Sequence, residues 1–269
     1  MKTLIITLAI VLVNSLSFGQ EGKYNSADLP PYGSNNLNFV RLNFVPLLSG
    51  NIALEYERGL NKKIAVGTAI SWRPSSGLPY RSVITDIVDD TDVNVFLDGM
   101  KTSSRAITPE VRFYLSRKGY GNGFYVAPYL KLAKFDFAVP YAFDVSLNYQ
   151  GQEYYSRNET IELGGDLSTF SVGLSAGFNF KLAKNIHLDW RIIGPGYGQS
   201  RGNLSGRMAL NAEEQDGLRQ QLEDLQQSLQ ELPLPFDIDY NVSGQGADIK
   251  LNRSPWANIR SGLSLGFSF

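Results

Sequence analysis

Four carboxylates, Glu55, Glu57, Glu110 and Asp189, share a pattern with five arginines, Arg41, Arg73, Arg112, Arg191 and Arg260: each stands in a segment whose alternate positions are apolar. Charges on one face of such segments have two uses. They can pair into a buried polar plug, or they can line a path for ions or small solutes. The first demands complete pairing, because breaking a buried ion pair costs about 3 to 5 kcal/mol. Lys131 falls on the same face as these groups. His187 is the single histidine and lies two residues from Asp189, a spacing that offers a base and a carboxylate. No serine at a distinctive spacing completes a triad, so acyl-transfer catalysis is not expected. Asp86, Asp89, Asp90, Asp92 and Asp98 crowd one connection. They do not follow the twelve-residue calcium-loop pattern, so a solvated acidic loop is expected, with weak calcium binding as the alternative. No catalytic, cofactor-binding or metal-binding residue is assigned.

The elements that carry these charges read as β-strands of period two. The last is the clearest: Ile259, Ser261, Leu263, Leu265, Phe267 and Phe269 alternate with Arg260, Gly262, Ser264, Gly266 and Ser268. Leu37–Pro46 is a first strand of mixed phase, with Val40, Leu42 and Phe44 on one face; Leu37 and Phe39 fit that face only through a bulge. Ile52, Leu54 and Tyr56 mark the second, and Ile64, Val66, Ile70 and Trp72 the third. The fourth runs over 105–115 and the fifth over 124–137, each containing a proline, Pro109 and Pro128, that removes one ladder donor. The sixth covers 167–180, and in the seventh Ile186, Leu188, Trp190 and Ile192 alternate with His187, Asp189 and Arg191.

Eight strands therefore carry one apolar and one polar face. An arginine on the lipid side of a membrane barrel costs roughly 2 to 4 kcal/mol at the midplane, and a soluble lipocalin-like barrel would need its inward face apolar. So many charges suit an inward polar face and an outward apolar one. The long connections, 74–104, 139–166 and 194–254, follow strands three, five and seven, while short turns lie on the side of both chain ends. That asymmetry belongs to outer-membrane barrels. Three of the short turns, around Arg58–Lys63, Ser116–Lys118 and Lys181–Asn185, follow aromatic-bearing strands and are basic.

Composition agrees. A net charge of −1 gives no basic excess for nucleic acid, and cysteine is absent, which removes disulfides, thiolate sites and N-terminal lipid attachment. Lys2, the apolar stretch Leu4–Leu16 and Ser17-Phe18-Gly19 follow the order of a secretion signal over 1–19, followed by an extended tail over 20–36. The remaining residues, 37–269, make one domain.

One helix is expected, in the stretch 211–232. Asn211 and Glu214 can cap it, and Leu218, Leu222, Leu225, Leu229 and Leu232 recur at helical spacing before Pro233. It is acidic. Its leucines either pack as a lid on the barrel rim and neighbouring loops or dock another protein.

Several stretches together resemble an uncharacterised family of small bacterial outer-membrane β-barrel proteins, a domain of unknown function. They are Ile107-Thr108-Pro109-Glu110-Val111-Arg112-Phe113-Tyr114, Gly123-Phe124-Tyr125-Val126-Ala127-Pro128-Tyr129, Ile193-Gly194-Pro195-Gly196-Tyr197-Gly198 and Pro255-Trp256-Ala257-Asn258-Ile259-Arg260-Ser261-Gly262-Leu263. The resemblance implies an eight-stranded antiparallel transmembrane barrel in the outer membrane, with proline-containing strands, and implies no activity. The expectation is a non-enzymatic envelope protein that contacts outer-membrane lipid and either presents loops for binding or serves as an accessory subunit through its helical loop. A narrow channel and a lipid-modifying enzyme are the alternatives.

Overall fold

The computed structural model describes residues 37–79, 81, 99–149, 152–230 and 235–269, all within the compact unit Asn35–Phe269, with side chains described for all but 141–158 and 228. The signal and tail at 1–36, the acidic cluster Asp86 to Asp98 and Leu232 lie outside the described residues.

Among the described residues, nine antiparallel strands form a single sheet: β1 (Asn38–Asn43), β2 (Ile52–Gly59), β3 (Ile64–Gly77), β4 (Lys101–Tyr114), β5 (Gly123–Tyr149), β6 (Gln152–Lys181), β7 (Ile186–Arg207), β8 (Asp237–Ser243) and β9 (Gly246–Ser268). Consecutive strands pair from β1 to β7, β9 pairs with β7, and β1 closes the ring on β9. Closure aligns Phe39 with Ser268, Arg41 with Gly266 and Asn43 with Ser264. The amides of Asn38 and Phe269 exchange hydrogen bonds at 3.2 and 3.0 Å. Eight staves make the barrel; β8 pairs with β9 alone, beyond the ring.

Period two gives each stave two unlike faces. Leu54, Ile70, Leu174, Trp190 and Phe267 are about half exposed on the outside, while Arg41, Glu57, Arg112 and Asp189 are at most 1% exposed within. Glycines in the lumen make room for long side chains: a Cβ on Gly266 would lie 2.5 Å from Arg41 Cγ, and one on Gly262 would strike the Asn43 amide.

Four expectations change. First, β1 is shorter than 37–46, because the chain turns into a 3-10 helix at Pro46–Ser49. It also needs no bulge, since Phe39 belongs to the lumen, 2% exposed. Second, the seventh strand does bulge, between Arg191 and Gly194, which makes Ile193, half exposed, the outward residue in place of Ile192.

Third, the connections at 139–166 and 194–254 are largely strand. β5 pairs with β6 down to Tyr149 and Gln152, and β6 is 30 residues long, three times the roughly 9 to 11 residues that cross a bilayer. In sequence, Val139, Tyr141, Phe143, Val145, Leu147 and Tyr149 keep the period of two through the β5 extension, and in the structure Val139, Ile161 and Leu163 are buried rather than outward. β5, β6, β7, β9 and β8 together form a sheet beyond the ring.

Fourth, the helix, α1 (Ala212–Gln230), packs on that extension. Its start is a reciprocal capping box: Glu214 N–H donates to Asn211 Oδ1 at 2.9 Å and Asn211 N–H to the Glu214 carboxylate at 2.8 Å. Leu218 and Leu222 are buried with Ile161, Leu163, Val242 and Ile249 in a core separate from the barrel. This head is a folded unit of helix on sheet.

Candidate functional site

The barrel interior is the charged site, and it has three levels. On the terminus side, Phe39 meets the edges of His187 and Tyr120 at centroid distances of 4.5 and 5.4 Å, and Tyr120 meets Tyr114 at 5.5 Å. Tyr120 lies in the turn between β4 and β5 and donates its hydroxyl to the Leu37 carbonyl at 2.9 Å. Burial holds this phenol well above its usual pKa, which keeps it a donor. Gly121, with φ of 72°, passes so close beneath Phe39 that a Cβ would lie 2.8 Å from the ring. Aromatic rings thus seal this end.

In the middle, four carboxylates meet four guanidiniums. Arg41 pairs with Glu57 at 2.7 Å. Arg112 reaches Glu110 at 2.6 Å, Asp189 at 2.5 Å, Glu57 at 3.1 Å and Glu55 at 3.2 Å. Arg191 holds Glu55 at 2.9 Å and Glu110 at 3.2 Å, and Arg260 holds Glu110 at 2.9 Å. The strands bring these groups together because every one is an inward position of the period-two pattern. Charge sums to zero within the layer.

Neutral side chains take up part of the remaining hydrogen-bonding capacity. Tyr114 donates to Glu57 at 2.7 Å and Tyr125 to Asp189 at 2.9 Å, while Asn179 Nδ2 donates to Asp189 at 3.3 Å. Arg41, Arg112 and Arg260 each lie 4.5 Å over the rings of Phe39, Tyr125 and Tyr129. Among the described residues Arg41 Nε and Nη2 and Arg191 Nε have no hydrogen-bond partner. The sequence offered no sign of these tyrosines and asparagines beyond their inward phase, since partner choice is made across the lumen.

Arg73 is the exception among the expected charges. It is 6% exposed and, among the described residues, meets no carboxylate. Its guanidinium donates to the carbonyls of Ser49 and Thr102, both at 2.9 Å, and to that of Gly77. It therefore ties the β1–β2 turn to the ends of β3 and β4 on the side opposite the termini, and it stands apart from the ion pairs because Glu55, Glu57, Glu110 and Asp189 lie deeper. Lys131, directly across from Ser171, is half-buried on this level too. Tyr129 OH reaches the Gly194 carbonyl and Asn258 Oδ1, both at 2.9 Å, and Asn258 Nδ2 donates to Ser171 at 2.6 Å.

His187 and Asp189 do not form a dyad. The His187 ring contacts Asn179 Oδ1 at 3.2 Å, and Asp189 is occupied by Arg112, Tyr125 and Asn179. Among the described residues no three carboxylate, histidine or cysteine side chains converge as a metal site. What the lumen can do chemically is hold fixed, mutually neutralised charges. The leucines of α1 divide: Leu218 and Leu222 are spent on the core of the head, Leu229 is half-buried and Leu225 is exposed.

A family model described as "Protein of unknown function (DUF3575)" matches residues 33–207, which span β1 to β7 and stop before α1, β8 and β9. No curated protein matches the chain. Among solved structures, the N-terminal β-barrel domain of Pseudomonas aeruginosa OprF is similar at 7% identity with a TM-score of 0.26, over 86% of this chain and 96% of that one.

Proposed function

We propose that this chain, which belongs to the DUF3575 family of proteins of unknown function, is a non-enzymatic barrel of the bacterial outer membrane that holds a folded head on the far side for binding another envelope component. Support for the membrane comes from the inverted faces: apolar side chains stand outward around the ring and ion pairs fill the inside. In water each exposed apolar Å² would forgo about 25 cal/mol of burial.

One observation carries the binding role. The strands that leave the barrel do not end in loops; they continue as a sheet with its own apolar core under α1. Ordering that many residues on one side of a plugged barrel is costly in conformational entropy, and the head is the part of the molecule with surface to offer. Its exposed face is acidic, with Glu213, Asp216, Glu223 and Asp224 on α1, so the fitting partner is basic or cation-bridged.

The test is gentle detergent extraction of tagged protein, followed by identification of what stays bound, for the natural chain and for Leu225→Asp with Glu223→Lys. A partner held by the natural chain and lost by the variant supports the reading. Recovery of the barrel alone overturns the binding role and leaves the membrane assignment standing.

A further inference from the structure

The three terminus-side turns share a pattern that the lumen does not explain. Around β2–β3 the exposed cations are Arg58, Lys62 and Lys63; around β4–β5 they are Arg117 and Lys118; around β6–β7 they are Lys181 and Lys184. No Asp or Glu occurs in 58–63, 115–122 or 181–185. The chain as a whole carries −1, so charge is segregated: basic at this rim, acidic on α1.

Each turn also presents one leucine to the outside, Leu60, Leu115 and Leu182, at 55, 58 and 59% exposure. Two of the turns share a backbone design. Leu60 and Asn61 both donate their amides to the Ile64 carbonyl at 2.9 and 3.2 Å, and Leu182 and Ala183 donate theirs to Ile186 at 2.9 and 3.1 Å. Above the turns stand outward aromatics, Phe113, Phe180 and Phe267. The turns follow β2, β4 and β6, so they are spread around the ring, with the chain ends filling the fourth gap.

We propose that this rim binds the phosphates of anionic phospholipids in the leaflet facing the chain termini, with the leucines entering the acyl layer and the cations taking the headgroups. The inference rests on the membrane reading above. A ring of separate leucine-and-lysine turns matches an annulus of lipid better than one protein partner, which would need a contiguous patch. Cations near an anionic surface add their contributions, so the effect of the set is large although each exposed side chain is weak.

The experiment reconstitutes the full chain in mixed phosphatidylglycerol and phosphatidylcholine vesicles, extracts it with detergent and counts retained lipids by native mass spectrometry. Phosphatidylglycerol should be enriched about tenfold over its share in the vesicle, with the enrichment falling as salt rises. Lys62→Gln/Lys63→Gln with Lys181→Gln/Lys184→Gln, which removes four of the seven rim cations, should lower it severalfold, whereas Arg201→Gln/Lys250→Gln on the far side should leave it unchanged. These side chains are exposed, and the pairs can be made separately should the fourfold variant fold poorly. A natural chain that inserts and retains both lipids equally overturns the proposal alone; enrichment that the rim substitutions leave unchanged, or that inorganic phosphate removes as readily as it would from a free-phosphate site, does the same. Failure to insert into either lipid overturns the membrane reading with it.

Discussion

Arg260 Nη1 donates to Glu110 Oε2 at 2.9 Å although their strands, β9 and β4, stand four staves apart in a ring of eight. A direct bond across the diameter means that two side chains span the lumen, as the interior of an eight-stranded barrel allows. Glu110 also accepts from Arg112 and Arg191, so opposite walls are joined through one carboxylate.

Arg112 should therefore be the least replaceable charge. It meets Glu55, Glu57, Glu110 and Asp189, and Arg112→Leu strands buried acids that Arg41, Arg191 and Arg260 must then share. A loss of about 3 to 5 kcal/mol in unfolding free energy is expected, measured by urea titration of the barrel in detergent or vesicles. Arg73→Leu should cost less, since the partners of Arg73 among the described residues are neutral acceptors. Equal losses would contradict the division between them.

A filled lumen also predicts electrical silence. With Phe39, Tyr120 and His187 packed at one end and ion pairs in the middle, the purified protein should show no steady single-channel conductance in a planar bilayer. Reproducible openings in the natural chain, abolished by Arg191→Leu without loss of stability, would restore the narrow-channel alternative.

Closure of the ring depends on the absence of a side chain at Gly266. Arg41 lies against it, and the Val40 carbonyl is 3.1 Å from where a Cβ would sit. Gly266→Leu should displace Arg41 from Glu57 and weaken the β1–β9 seam, at a cost of about 1 to 3 kcal/mol for overpacking. The readout is the fraction that keeps compact mobility on unheated gels. Gly77, with nothing within reach of an added Cβ, should accept the same substitution with little effect.

The head should loosen independently of the barrel. Leu222→Ala removes a buried side chain from the core it shares with Ile161 and Ile249, and about 2 to 4 kcal/mol should be lost locally. Hydrogen exchange in α1 should accelerate while exchange in β1–β4 stays slow. Acceleration in both would show that head and barrel unfold as one.

Much of the barrel was legible because one physical constraint, apolar outside and polar inside, repeats at every second residue. Leu263, Leu265 and Phe267 against Arg260, Ser264 and Gly266 show β9 and its orientation before any coordinate is known, and the inward phase of Glu55, Arg112 and Asp189 follows likewise. Above the apolar band that constraint lapses. Val139, Ile161 and Leu163 of the extensions are buried rather than outward, and 139–166 and 194–254 read as connections even though Val139 to Tyr149 still alternates; β8 is hidden in one of them. Pairing partners were decided only in three dimensions. Nothing in the chain says that Arg260 meets Glu110 while Arg73 meets carbonyls, or that Phe39 turns inward without a bulge. Those outcomes depend on the closing register that sets Arg41 beside Gly266 and on which side chains can reach each other across the lumen, distances that no local pattern encodes.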